Sequence, residues 1–139
     1  MKLLLDTNAL LWAALDLLDD PIDDLVLGHT SENYFSTVSL WEMVIKNGKH
    51  AQNFRVNVAD LRRQILAAGF SQLDIGIEHI LAVGTLPALH GDPFDRLLIA
   101  QANIEHMTLL TTDKQMAEYP GDIQLIPKPK PQLEREWEE

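Results

Sequence analysis

Four acidic residues occupy one kind of position in this chain: Asp6 directly follows the apolar run Lys2–Leu5, Glu42 and Asp95 fall in the first turns of helical patterns, and Asp113 follows the apolar run Met107–Leu110. Carboxylates gathered at one edge of a fold repel one another unless a cation neutralises them. The chain has no cysteine, so a metal would have to be held by oxygen or imidazole, and oxygen-only ligation points to Mg²⁺ or Mn²⁺. Such an ion polarises a phosphodiester and stabilises the leaving oxygen of an in-line displacement. Each acid also has an ordinary structural role available. Asp6 and Asp113 suit helix caps, Glu42 suits the third position of a capping box begun by Ser39, and Asp92 and Asp95 suit the positive end of a helix.

Other chemistries find less support. His29, His50, His79, His90 and His106 have no zinc-like spacing. Ser39 sits in no glycine elbow, and neither common glycine-rich phosphate loop is present. Trp12, Trp41 and Phe94 fall on apolar helical positions and read as core in preference to base-stacking platforms.

The elements that must carry the acids alternate. Lys2–Leu5 reads as a strand that turns at Asp6-Thr7-Asn8 into a helix through Leu10, Leu11, Ala14 and Leu15. An acidic linker, Asp16 to Asp24, is interrupted by Pro21. Tyr34–Val38 is strand-like, and Ser39 is expected to cap a helix that stops at Asn47-Gly48. Further helices are predicted over Val58–Ala68, closing at Gly69, over Glu78–Leu86, and from Asp92 through Ala102, with Pro93 well placed at a helix start. Phe70–Ile75, Met107–Leu110 and Ile123–Ile126 complete the strands, and Asp113 opens a short helix. This alternation predicts an α/β layered fold with a mostly parallel sheet. The carboxyl ends of its strands would bring the four acids to one edge.

The 139 residues suit one domain, without internal repeats, and the N-terminus reaches a charge at Lys2 and Asp6 too early for a signal peptide. No apolar run is long enough to span a membrane, so the expectation is a soluble cytoplasmic protein. Pro127, Pro129 and Pro131 interleave with Lys128 and Lys130, giving an extended piece before the Glu-rich end at Glu134–Glu139. The net charge is −10, yet Lys46, Lys49, Arg55, Arg62 and Arg63 stand against the single acid Asp60, so this stretch carries +4 and the rest −14. That stretch is a candidate docking surface for a polyanion on an otherwise acidic body; two solvated helix faces would produce the same pattern.

Taken in order, Leu3-Leu4-Leu5-Asp6-Thr7-Asn8-Ala9-Leu10-Leu11-Trp12, Ser39-Leu40-Trp41-Glu42, Asp92-Pro93-Phe94-Asp95-Arg96-Leu97-Leu98-Ile99-Ala100-Gln101-Ala102 and Leu110-Thr111-Thr112-Asp113 closely resemble the successive motifs of PIN-domain toxins of the VapC type. The resemblance runs from Met1 to about Ile126, and residues 127–139 form a tail beyond it. It implies a Rossmann-like three-layer α/β/α PIN domain and a Mg²⁺- or Mn²⁺-dependent endoribonuclease, the toxin of a type II toxin–antitoxin pair. In that reading Asp6 is the central metal ligand, Glu42 and Asp95 complete the shell directly or through water, and Asp113 supports it or binds a second ion. Thr7, Asn8 and Thr111 would orient ligands or water, and Asp92 would be the helix cap. Asn8 stands where many relatives carry a histidine. The resemblance further implies an RNA substrate, a homodimer and a neutralising antitoxin. A PIN-like binding module without useful turnover is the alternative. An aspartate-type phosphatase ranks lower, because it needs a second aspartate where Asn8 stands.

Overall fold

Side chains alternate across a strand, and Leu3, Leu4 and Leu5 are all fully buried, so the first strand must be covered on both faces. The computed structural model, which describes residues 1–16, 18, 20–28, 31–49, 55–89 and 91–128, shows how. In chain order the elements are β1 (Lys2–Leu5), α1 (Thr7–Ala14), α2 (Asp20–Leu27), β2 (Glu32–Ser36), α3 (Thr37–Lys49), α4 (Val58–Ala67), β3 (Ser71–Leu73), α5 (Ile77–Val83), α6 (Pro93–Glu105), β4 (Thr108–Thr111), a 3₁₀ turn (Met116–Glu118) and β5 (Ile123–Leu125). The five strands form one sheet in the order β3-β2-β1-β4-β5, and every pairing is parallel.

Two apolar cores follow from that sheet. Leu3, Leu5, Phe35 and Leu110 face one layer, where Leu10 and Leu11 of α1, Val26 of α2, and Leu61 and Ile65 of α4 pack on them. Leu4 and Leu109 face the other, against Leu98, Ile99 and Ala102 of α6 and Met116 of the 3₁₀ turn. The result is a three-layer α/β/α domain. Helix α3 contributes Met43 to the first core and Val38 to the second, so it belongs to both layers.

Several local expectations are corrected. Strand β2 ends at Ser36, two residues before Val38, and α3 starts at Thr37. The Ser36 hydroxyl accepts from Val38 N at 3.0 Å and so takes the capping role expected of Ser39, which is buried inside the helix. No capping box links Ser39 and Glu42, and this frees the Glu42 carboxylate for other partners. Helix α3 also continues through Asn47-Gly48 to Lys49, because Asn47 uses its side-chain amide to accept from Val56 N at 2.9 Å instead of ending the helix. The segment around Pro21 is helical, with the proline in the first turn of α2, where its missing N–H costs no helical bond. Strand β3 is shorter than Phe70–Ile75. Gly69 closes α4 with φ +99, as its type suggests, whereas α6 ends on His106 at φ 57, a left-handed position that sequence assigns more readily to glycine.

Trp12 is fully buried and Phe94 packs against the second core, but Trp41 is 54% exposed and stands edge-on to Phe94, with ring centroids 4.9 Å apart. Its apolar position on α3 therefore faces outward. No helix among the described residues is long and apolar enough to cross a membrane. The expectations for His29, His50 and His90, for the tail from Pro129 to Glu139 and for the Lys49 side chain lie outside the described residues.

Beneath the site runs a buried polar chain. Ser36 Oγ donates to Gln101 Oε1 at 2.5 Å, tying the end of β2 to α6, and Gln101 Nε2 lies 3.4 Å from His79 Nδ1. Gly76 N donates to that Nδ1 at 2.9 Å, which leaves the His79 Nε2 proton for Glu105 Oε2, also at 2.9 Å. Ser36→Ala would remove the cap of α3 and strand the Gln101 carbonyl in the interior. We expect a loss of about 2–3 kcal/mol, read as a lower urea midpoint at unchanged m-value; an unchanged midpoint would mean that this chain is replaceable.

Candidate functional site

The order β3-β2-β1-β4-β5 reverses direction between β1 and β4, and in a parallel sheet the loops leaving two such strands diverge to opposite faces and open a crevice at their carboxyl ends. Asp6 is the first residue past β1, and its N–H donates to Leu110 O of β4 at 3.0 Å, which fixes it at this crevice. One carboxylate oxygen, Oδ1, accepts from Ala9 N at 2.8 Å as the cap of α1. The other, Oδ2, accepts from Thr111 Oγ1 at 2.6 Å. Capping and a place in the site are thus simultaneous, one oxygen serving each.

Thr111, the last residue of β4, also accepts from Asp113 N at 3.0 Å, so a single hydroxyl joins the Asp6 and Asp113 loops. Asp113 Oδ1 accepts from Gln115 N at 2.8 Å, stiffening the turn that follows. Across the crevice, Thr7 Oγ1 donates to Glu42 Oε1 at 2.6 Å and lies 3.1 Å from Ser39 Oγ. Lys46, one helical turn after Glu42, places Nζ 3.4 Å from Glu42 Oε2. Asp92 caps α6 by accepting from Phe94 N at 2.9 Å and Asp95 N at 3.2 Å. This cap sets the first turn from which Asp95 projects.

Asp6, Glu42, Asp92, Asp95 and Asp113 thereby line one pocket of about 180 Å³, together with Thr7, Asn8, Lys46 and Met116. All four acids singled out in the sequence are in it. Lys46 is also there, and by contrast Arg62 and Arg63 lie on α4, where Arg62 Nε donates to Gln72 Oε1 at 2.8 Å and Arg63 pairs with Asp60. Arg55 is exposed before α4. Lys46 and Met116 were not legible as pocket residues. The i,i+4 spacing of Glu42 and Lys46 was the available signal for the first; nothing in the sequence marked the second.

The electrostatics of the pocket are unfavourable to its own charges. Burial pushes the Asp6 carboxyl up to about 6, against the opposing pull of the Thr111 hydroxyl and the Ala9 N–H, with smaller additions from Glu42 and Asp113. Asp95 has no such donor among the described residues: burial first, then the charges of Asp92, Glu42, Asp6 and Asp113, push it up to about 8. Burial and like charge together thus favour the protonated form of Asp95. As they stand, no three carboxylate or imidazole groups among the described residues surround a common point closely enough to enclose an ion. The donor chemistry nevertheless fits a hard divalent cation, because hard oxygen ligands are crowded and partly dehydrated, and a cation would relieve the repulsion that raises both carboxyls.

A three-layer α/β/α domain with an acidic pocket at the switch point of a 3-2-1-4-5 parallel sheet is the class that fold and site define. The PIN domain family model matches residues 3–122, and the chain belongs to that family. Among solved structures it is similar to VapBC2 from Rickettsia felis bound to a DNA fragment of its promoter, with TM-score 0.70 and 19% identity over 91% of this chain and 100% of that one. It is also similar to DNA-bound VapBC from Salmonella typhimurium, with TM-score 0.64 and 14% identity over 89% and 97% of the two chains. A third is PAE2754 from Pyrobaculum aerophilum, with TM-score 0.58 and 20% identity over 88% and 83%. At these identities the likeness is one of fold. No curated protein matches in sequence.

The raised carboxyls tie stability to pH. Asp95 ionises near 3.8 when unfolded and near 8 when folded, so its contribution is complete below about pH 4 and is lost as pH rises through about 8; Asp6 acts in the same direction up to about 6. In EDTA at pH 8, Asp95→Asn should be more stable than the parent by roughly 2 kcal/mol, and the difference should shrink toward pH 5. Equal urea midpoints at pH 8 would show that the pocket does not hold Asp95 under strain.

Proposed function

We propose that this chain is a divalent-metal-dependent endoribonuclease, a VapC-like toxin of a type II toxin–antitoxin pair, that hydrolyses RNA phosphodiesters at its acidic pocket. The observation that carries this reading is the convergence of Asp6, Glu42, Asp95 and Asp113 on one pocket, with Asp95 pushed up to about 8 by burial and by its neighbours. A buried cluster of like charges is costly to a fold and signals a function that uses it. The PIN family membership supports a nuclease, and the VapBC neighbours support the toxin assignment.

Asp6, Glu42 and Asp95 would hold Mg²⁺ or Mn²⁺, with Asp113 supporting the shell or taking a second ion. When bound, the ion supplies charge neutralisation and Lewis acidity for in-line hydrolysis of a phosphodiester. The chain's own residues prepare the place for it. Thr111 holds Asp6 Oδ2, Thr7 holds Glu42 Oε1, and each hydroxyl fixes the direction of a carboxylate that would otherwise swing away from its like-charged neighbours. Asn8, which lines the pocket, would orient substrate or water. Lys46 offsets part of the Glu42 charge.

The partners that go with this reading are a second copy of the chain and an antitoxin, in the cytoplasm. Lys46, Lys49, Arg55, Arg62 and Arg63 are proposed to dock RNA on the α3–α4 side. The exposed Arg63–Asp60 pair would exchange easily for a phosphate, since exposed ion pairs contribute little. The absence of a closed ligand set among the described residues favours one rival, a PIN-like module that binds RNA or protein without turnover.

Purified chain incubated with total cellular RNA should cleave it in Mg²⁺ or Mn²⁺ and not in EDTA. The double variant Asp6→Asn/Asp95→Asn should lose at least about a thousandfold in rate while still folding. Metal binding by calorimetry separates the readings: a folded chain that neither binds metal nor cleaves belongs to the binding module.

A further inference from the structure

Beside the acidic pocket a larger cleft of about 920 Å³ opens on the β4–β5 side, and Asn8 and Asp113 line both. Its far wall is made by what leaves the two strands. Thr111 pairs with Leu125 in the parallel register, and Ile126 N donates to Thr111 O at 2.7 Å, so the chain beyond each strand emerges at the same height. Lys114 and Lys128 each stand three residues past that paired position, and both line the cleft. Both are exposed, as are two apolar residues of the same cleft, Leu125 at 45% and Pro127.

This combination is unusual on a chain of net charge −10 with eleven Lys and Arg in all. A polyanion brought to five carboxylates needs positive charge alongside, and the β4–β5 cleft puts two ammonium groups on its wall. The volume is in the range that holds roughly one or two nucleotides' bulk. Apolar surface for a base face and cations for flanking phosphates are what single-stranded RNA asks of a groove.

We propose that the β4–β5 cleft is the binding groove for the single-stranded RNA segment adjoining the scissile phosphate, with Lys114 and Lys128 engaging its phosphates and Leu125 and Pro127 supporting a base. This rests on the ribonuclease reading and adds to it a second flank for the strand, opposite the α3–α4 side. Lys114 and Lys128 are positioning residues and touch no reacting atom.

The test uses the full chain carrying Asp95→Asn, so that RNA is not consumed, and a fluorescein-labelled 12-nucleotide single-stranded RNA followed by anisotropy from 50 to 200 mM KCl. Adding Lys114→Gln and Lys128→Gln should weaken binding about tenfold at low salt and reduce the slope of log K against log salt by about 1.4, two phosphate contacts at about 0.7 each. Lys2→Gln, which removes one positive charge at the other end of β1, should leave both unchanged. Unchanged affinity and slope in the double lysine variant overturn the proposal, as does a failure of every chain to bind the RNA. A larger effect of the two substitutions on an oligoglutamate peptide than on RNA also overturns it and assigns the cleft to a protein partner. Metal-dependent cleavage by the unmodified chain is scored separately. Cleavage without dependence on the lysines sinks the groove alone, and lysine-dependent binding without cleavage sinks the nuclease alone.

Discussion

Mutual repulsion of the carboxylates at the β1–β4 crevice is the constraint around which this domain is arranged. Asp6 enters the pocket from the turn between β1 and α1, Glu42 from α3 and Asp95 from α6, and each would be more comfortable in water. They are held because the backbones that carry them are committed elsewhere: Asp6 to the β4 carbonyl of Leu110, Asp95 to the cap made by Asp92, and Glu42 to a helix whose other residues reach both cores. The hydroxyls of Thr7 and Thr111 then set the aim of two carboxylates at a distance of 2.6 Å each. Asp95, with no donor among the described residues, has its proton affinity raised by burial first and by that repulsion next.

The rest of the structure can be understood as support for that arrangement. A parallel sheet whose central strands are covered on both faces by two apolar cores provides the rigidity against which like charges can be pressed together. The series of buried Ser36, Gln101 and His79, ending on the half-exposed Glu105, performs a related task with polar groups. It joins the start of α3 to α6, and these two helices carry Glu42 and Asp95. Arg96, next to Asp95, stitches the loop before α6 through three backbone carbonyls, those of Pro87, Val83 and Leu86, and its guanidinium lies over the Tyr119 ring at 5.8 Å. Residues next to one another along α6 thus divide between chemistry and its mechanical support.

Charge distribution divides the surface in the same way. The acidic body disfavours general affinity for polyanions, while the cations near the pocket are few and placed: Lys46 within it, and Lys114 and Lys128 on the neighbouring cleft. An RNA strand approaching such a surface would be steered by local fields and short contacts, since charges separated by more than about 8–10 Å are screened in physiological salt. On the proposed ribonuclease reading, such a pattern would favour selectivity for a particular RNA over strong nonspecific binding.

What the amino-acid sequence determined by itself was periodic or local. The alternation of strands and helices, the positions of the four acids relative to them and the cap at Asp92 were all legible, because they depend on side-chain period and on hydrogen bonds within a few residues. The motifs around Asp6, Glu42, Asp95 and Asp113 also carried the family. Tertiary structure decided the remainder. That Ser36 and not Ser39 caps α3 depends on where β2 leaves the sheet, and the freedom of Glu42 follows from it. That Trp41 is exposed depends on which side of α3 the neighbouring layers leave uncovered. That Lys114 and Lys128 line one cleft depends on the register of β4 with β5, since one-dimensional order says nothing about the height at which two strands end. The proton affinity of Asp95 comes from burial and from four charges supplied by other segments and its own cap, a sum over distances that exists only after the chain has folded.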